Sequence, residues 1–96
     1  IGLVKVFEED LSPFELKRFA GMLKEKFPES SIGVFSPIEG GFNYVIASSD
    51  PELPKISKSL NAKLNGRGGG RDGMVQGTYR VDKKAVEEAF DEIFSK

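Results

Sequence analysis

Six of the twelve residues in the segment 66–77 are glycine, and this glycine segment limits what the chain can fold into more than any other feature. Ordering glycine costs more conformational entropy than ordering any other residue. A glycine run therefore persists usefully only where the backbone takes positive φ or comes very close to another group. Arg67 and Arg71 flank the central glycine triplet. Backbone N–H groups without covering side chains, with guanidinium groups beside them, are suited to receiving phosphate.

The net positive charge of the chain is concentrated around the glycine segment. The whole chain has a net charge of −1, which argues against general binding to nucleic acid. Residues 54–81, however, carry six basic side chains against one acidic side chain, a net charge of +5, whereas both flanking segments are acidic. The six are Lys55, Lys58, Lys63, Arg67, Arg71 and Arg80. Such clustering is typical of a phosphate-contacting surface, although lysines on a solvated helix face give the same pattern.

The rest of the sequence predicts a small scaffold of strands and helices. Apolar periodicity predicts strands at 3–7, 32–36 and 42–47, and residues 75–80 are compatible with an extended segment. Helices are predicted to begin after Ser12, near Pro51 or Pro54, and after Asp82. The predicted order is β-α-β-β-α-glycine loop-α. We therefore expect a single α/β (α+β) domain over residues 1–96, with a mixed β-sheet and packed helices.

Composition argues against several classes of function. The chain has no cysteine and no histidine, so it lacks disulfides, the commonest metal ligand and the commonest general base. Its carboxylates mostly lie at predicted helix starts or on polar helix faces. We therefore expect no enzyme activity and no cofactor in this chain. No segment approaches the apolar length of a membrane span, and we expect a cytoplasmic protein. The start at Ile1 rather than at methionine suggests a piece of a longer protein.

Two familiar phosphate-binding patterns fail to match the glycine segment. A Walker A loop requires Gly-x-x-x-x-Gly-Lys-Ser/Thr, and the stretch that starts at Gly66 lacks the Lys-Ser/Thr end. Gly68, Gly70 and Gly73 formally match the Gly-x-Gly-x-x-Gly spacing of dinucleotide-binding folds. A predicted helix rather than a strand precedes them, however, and that order does not fit the dinucleotide-binding context. The sequence gives little support for a nucleotide cofactor.

The run Asn-Gly-Arg-Gly-Gly-Gly-Arg-Asp-Gly-Met-Val-Gln-Gly at 65–77 closely resembles the signature of the DHH-associated domain. That domain occurs at the C-terminal end of alanyl-tRNA synthetases and of long-form, free-standing alanyl-tRNA editing proteins, and it also follows the catalytic domain of DHH phosphoesterases. Phosphoesterase relatives typically place histidine after the glycine triplet, where this chain has Arg71, so the chain resembles the alanyl-tRNA branch. Residues 74–77 are more similar to the editing proteins, since synthetases more often have alanine in place of Val75 and proline in place of Gly73.

The resemblance implies an accessory domain that helps to hold tRNA, expected to be alanine-accepting, beside other domains of the same polypeptide. It also implies a separate zinc-dependent editing domain, whose histidine and cysteine ligands are absent here. We expect Arg67 and Arg71 to contact phosphates, and the amides of Gly68, Gly69 and Gly70 to approach the RNA backbone or a base. Lys55, Lys58 and Lys63 are expected to extend the positive surface along the preceding helix. Asn65 and Gln76 are expected to bind a 2′-hydroxyl or a base edge, and Tyr79 to stack on an unpaired base.

Two other interpretations stay open. The first is an interaction module, in which the glycine segment docks onto another domain of the parent protein or drives homodimerisation. The second is the substrate-binding half of a DHH-type nucleotide phosphoesterase. Individual residues also have ordinary explanations: Tyr79 as a packing residue, and Asn65 and Gln76 as groups that satisfy loop amides or cap a helix.

Overall fold

Eight elements of secondary structure follow one another along the residues that the computed structural model describes, 2–71 and 73–94. They are β1 (Leu3–Phe7), α1 (Pro13–Lys26), β2 (Ser31–Ile38), β3 (Gly41–Ala47), α2 (Leu53–Lys63), β4 (Arg67–Arg71), β5 (Met74–Tyr79) and α3 (Lys83–Phe94). No helix in this part of the chain is long and apolar enough to cross a membrane.

The five strands form one mixed sheet in the order β1-β2-β3-β5-β4. β1 and β2 run parallel, with α1 as the crossover between them, and the other three pairings are antiparallel. The predicted fold class is therefore confirmed. The prediction of a glycine loop before the last helix was wrong, because residues 67–71 form β4 and pair with β5. Glycine has little strand propensity and no side chain to show an alternating pattern, so periodicity could not reveal this strand.

Local capping chemistry sets the starts of the first and last helices. The Ser12 hydroxyl accepts a hydrogen bond from the Glu15 amide at 3.2 Å, while the Glu15 carboxylate accepts one from the Ser12 amide at 2.9 Å. These bonds lower the pKa of Glu15, and together they form a capping box. The Asp82 carboxylate likewise accepts a hydrogen bond from the Ala85 amide at 2.9 Å. Both predicted helix starts are confirmed, and α2 begins close to the later of its two candidate positions.

The sheet is buried on both faces, and strand β3 contributes to each core. Tyr44 and Ile46 pack in the larger core with residues of α2 and α3, whereas Val45 and Ala47 pack in the smaller core with residues of α1. This alternation follows from the two-residue period of a strand. The same period applies to β5 and β4, so successive residues of each strand point alternately to the α1 side and to the α2 side of the sheet.

Candidate nucleic-acid interface

The glycine strand β4 is an edge of the sheet. Among the strands that the structure describes it pairs with β5 alone, and all five of its residues are exposed. The register places Arg67 opposite Thr78, Gly69 opposite Gln76 and Arg71 opposite Met74. Since Met74 packs in the core on the α1 side, these three β4 residues face that side, whereas Gly68 and Gly70 face α2. The strand therefore presents an uncovered backbone edge with an arginine at each end.

The fold itself explains the glycines at three positions in this hairpin. A Cβ on Gly68 would lie 2.2 Å from the Gln76 carbonyl oxygen and 2.7 Å from the Tyr44 hydroxyl. A Cβ on Gly70 would lie 2.3 Å from the Met74 carbonyl oxygen, and one on Gly77 would lie 2.0 Å from the Arg67 carbonyl oxygen. At these sites the side chain is missing because two strands approach closely.

Gly69 is different from its neighbours. A Cβ built there would meet no atom within 4 Å, so nothing in the described part of the chain requires glycine at this position. Glycine in a strand interior is unfavourable, because it adds backbone entropy to the unfolded state and packs no side chain. Close approach of a ligand or of another backbone is one reason for glycine in a strand, and the open space around Gly69 leaves room for such an approach.

Helix α2 is hydrogen-bonded to the start of the glycine strand. The Asn61 side chain donates to the Gly68 carbonyl at 3.4 Å and accepts from the Tyr44 hydroxyl at 3.1 Å. The Gly66 amide donates to the Asn61 carbonyl at 2.8 Å. These bonds tie the start of β4 to α2 and to the central strand β3. Sequence reasoning missed Asn61, because a single asparagine inside a helix gives no signal of this role.

Tyr79 lies in the core, so the prediction that it stacks on an RNA base was wrong. Tyr79 is 1% exposed, and its ring stacks on the ring of Tyr44, with the ring centroids 4.0 Å apart and the ring planes 6° from parallel. The two-residue period of β5 explains this position, since Tyr79 shares a face with the buried Val75. The alternative interpretation of Tyr79 as a packing residue is correct.

Burial of the tyrosine pair predicts a limit to stability at high pH. Burial raises the pKa of Tyr79 far above its ordinary value of 10.0, and burial also raises the pKa of Tyr44. Above about pH 10 the unfolded chain loses tyrosine protons that the folded chain keeps, so stability falls with rising pH by about 1.4 kcal/mol per pH unit for Tyr79. We expect phenolate absorbance to appear together with the loss of circular dichroism in an alkaline titration.

A Tyr79→Phe variant serves as the control for this titration. Within the described residues the Tyr79 hydroxyl is buried without a hydrogen-bond partner, so its removal is expected to cost little or to stabilise the fold. The variant should unfold at higher pH than the wild type. Phenolate absorbance that develops fully while the circular dichroism stays native would contradict this account.

The two arginines are available to an external anion. Arg67 and Arg71 are both exposed, and neither guanidinium has an ion pair or hydrogen bond to any residue that the structure describes. They are four positions apart on one face of a strand, which separates their Cα atoms by roughly 13 Å. That spacing suits two different phosphates rather than one.

Open grooves lie on both faces of the glycine strand, and a further groove that includes Asp50 reaches its end at Gly70 and Arg71. The α2 groove has a volume of about 310 Å³, and its polar lining comes from Lys55, Ser57, Lys58 and Asn61. The α1 groove has a volume of about 470 Å³ and is lined by Lys17, Arg71, Gln76 and Met74. Both grooves also include Gly69 and Gly70. Of the predicted residues, Lys55 and Lys58 thus line the α2 groove, and Arg71 and Gln76 line the α1 groove.

Lys17 is the cation that sequence reasoning missed. It lies on α1, in the acidic segment 1–53, far from the basic cluster along the chain. The crossover that places α1 over β2 and β3 also brings Lys17 to Arg71 and Gln76. Only the tertiary fold reveals this neighbour.

Besides the buried Tyr79, three other predicted residues line neither groove: Arg67 at the start of β4, Lys63 and Asn65. The Lys63 ammonium pairs with the Glu92 carboxylate of α3, which partly neutralises its charge. Asn65 adopts φ of 50° in the turn that follows α2, a conformation that asparagine tolerates better than most residues. Its position therefore agrees with the helix-ending explanation.

Lys55, which lines the α2 groove, has a weaker partner than Lys63: its ammonium lies 3.4 Å from the Glu52 carboxylate, and both side chains are largely exposed. Among residues 2–71 and 73–94, no three potential ligands of the His, Cys, Asp and Glu types cluster to hold a metal ion.

Curated relatives of the chain are alanine–tRNA ligases. The chain is 35% identical over 71 residues to the alanine–tRNA ligase of Malacoplasma penetrans, a match that covers 66% of this chain and 8% of that protein. It is 29% identical over 79 residues to the ligase of Acholeplasma laidlawii, covering 81% of this chain and 9% of that protein. The chain thus spans less than a tenth of the length of these relatives.

The fold has a close counterpart among solved structures. The C-Ala domain of Aquifex aeolicus alanyl-tRNA synthetase superimposes with a TM-score of 0.80 at 25% identity, over 98% of this chain and 91% of that chain. The sequence pattern of the DHHA1 domain family matches residues 2–96. The resemblance seen in the glycine segment is thereby confirmed, and the chain belongs to the DHHA1 domain family.

Proposed function

We propose that this chain is a tRNA-binding accessory domain of an alanyl-tRNA synthetase-related protein. Its role is to hold tRNA while a separate domain carries out aminoacylation or the hydrolysis of mischarged tRNA. The observation that carries the proposal is the edge strand β4. Its two arginines have no ion pair or hydrogen bond to a described residue, and they flank Gly69, where nothing in the described part of the chain requires glycine.

The chemistry of β4 supports a nucleic-acid ligand. Guanidinium groups bind phosphate with two parallel hydrogen bonds, and Arg67 and Arg71 supply two such groups. Because Gly69 has no side chain, a ribose-phosphate chain can come close to the backbone of β4 at that position. Lys58 extends the positive surface along α2, and Gln76 offers hydrogen bonds to a 2′-hydroxyl. Binding of this kind needs no cofactor.

The relatives narrow the proposed ligand. The matched proteins are named alanine–tRNA ligases, and the matched structure is a domain of an alanyl-tRNA synthetase. We take an alanine-accepting tRNA as the partner on that basis. The finer resemblance of residues 74–77 to editing proteins stays a prediction, as does zinc-dependent editing by a separate domain.

A filter-binding titration with alanine-accepting tRNA tests the proposal. If the cations of β4 and the grooves contact about four phosphates, the logarithm of the binding constant should fall with the logarithm of salt concentration with a slope of about −3 to −4. A mononucleotide serves as the comparison ligand and should bind far more weakly. No binding at low salt would favour an interaction module, and mononucleotide binding without preference for tRNA would favour a phosphoesterase relation.

A further inference from the structure

We infer that the glycine strand binds RNA where two backbone strands run side by side, as they do across the minor groove of an A-form helix. This inference rests on the proposed function and adds the structural class of the RNA. It comes from the two grooves that flank β4, because they lie on opposite faces of a single strand and share Gly69 and Gly70.

Each groove carries its own cation. Lys58 lines the α2 groove, and Lys17 lines the α1 groove together with Arg71. Neither lysine has an ion pair or hydrogen bond to a residue that the structure describes. Positive charge is therefore available on both sides of the glycine strand, although the two lysines are 41 positions apart in the sequence.

The two grooves are also free of carboxylates. No aspartate or glutamate of the described chain lines either of them. Three other surface grooves each include an acidic residue: Glu8 and Glu15 in one, Glu29 and Asp50 in the second, and Asp50 in the third. The third reaches the end of β4 at Gly70 and Arg71, so the stretch of β4 that is free of carboxylates ends there. In a chain with a net charge of −1, the pair of grooves beside β4 is thus suited to polyanions on both sides.

The shape of β4 relates the two grooves to RNA geometry. Its central residues have no side chains, so the ridge between the grooves is only as thick as a backbone. A single RNA strand that lies in one groove leaves the cation of the other groove unused. The minor groove of an A-form helix is wide and shallow, displays 2′-hydroxyls, and is bordered by two phosphate backbones. A bare backbone ridge fits such a groove, with one lysine directed to each border.

The test compares a mixed-sequence RNA duplex of roughly 16 base pairs with one of its single strands and with the corresponding DNA duplex. Each is titrated against the wild type, Lys17→Ala, Lys58→Ala and the double variant over a range of salt. Lys84→Ala, an exposed lysine of α3 outside both grooves, is the charge-matched control. Thermal melts check that every variant is folded.

We expect the RNA duplex to bind more tightly than the single strand or the DNA duplex. On the RNA duplex, Lys17→Ala and Lys58→Ala should each reduce the salt slope by about one, and the double variant by about two. A Lys17→Ala variant that behaves like Lys84→Ala, or equal affinity for the single strand and the RNA duplex, would overturn the inference and leave the proposed function intact. Absence of RNA binding by the wild type would overturn both.

Discussion

A Gly68→Ala variant is expected to melt about 10 °C or more below the wild type. The new Cβ would lie 2.2 Å from the Gln76 carbonyl oxygen and 2.7 Å from the Gly77 Cα, both of which belong to the paired backbone of β5. A backbone neighbour cannot rotate away as a flexible side chain can, so the pairing of β4 with β5 must be distorted. Strain and overpacking of this kind cost about 2 to 4 kcal/mol, and each kcal/mol lowers the melting temperature of a domain this size by several degrees. Thermal unfolding followed by circular dichroism measures the effect.

Gly69→Ala is the matched control, since it makes the same change one residue along the same strand. Its Cβ would have no neighbour within 4 Å, and we expect a stability within about 1 kcal/mol of the wild type, or a small gain from the less flexible unfolded chain. Equal destabilisation by the two variants would refute the distinction between these glycines. In the tRNA titration, by contrast, Gly69→Ala should weaken binding although the protein stays fully folded.

The double variant Arg67→Ala, Arg71→Ala should bind tRNA roughly a hundredfold more weakly at low salt. We expect each exposed guanidinium to contribute about tenfold, or about 1.4 kcal/mol, through a charge-assisted contact to its own phosphate. The salt slope should decrease by about two, because two fewer counterions are released. Stability should change by no more than about 0.5 kcal/mol, since both side chains are exposed and unpaired within the described chain. Filter binding over a range of salt measures both quantities.

Two further variants separate the position of these arginines from their charge. Lys26→Ala with Lys84→Ala removes two exposed positive charges elsewhere and should leave most of the affinity. Arg67→Lys with Arg71→Lys keeps the charge but loses the planar fork, so it should retain the salt slope and recover only part of the affinity. If the lysine at 26 and the lysine at 84 matter as much as the arginines, binding is a general charge effect and β4 has no special role.

The sequence was informative where side chains carry a local code. Ser12 and Glu15 mark the start of α1 by their spacing, and the alternation around Tyr44 shows which residues of β3 share a face. It was uninformative for β4, because residues without side chains show neither period nor preference. It was also uninformative for Lys17, whose place beside Arg71 depends on how α1 crosses the sheet. The burial of Tyr79 could have been anticipated, since it stands four positions after Val75 in an extended segment.

The open side of β4 also has a consequence for the solution behaviour of the protein. An exposed edge strand offers unpaired backbone groups to any other strand, including the same edge of a second molecule. Charged residues at the ends of such a strand act as gatekeepers against aggregation. Arg67 and Arg71 occupy those ends, so the side chains proposed to attract RNA would also keep copies of the protein from joining edge to edge. Salt that screens them weakens both effects at once.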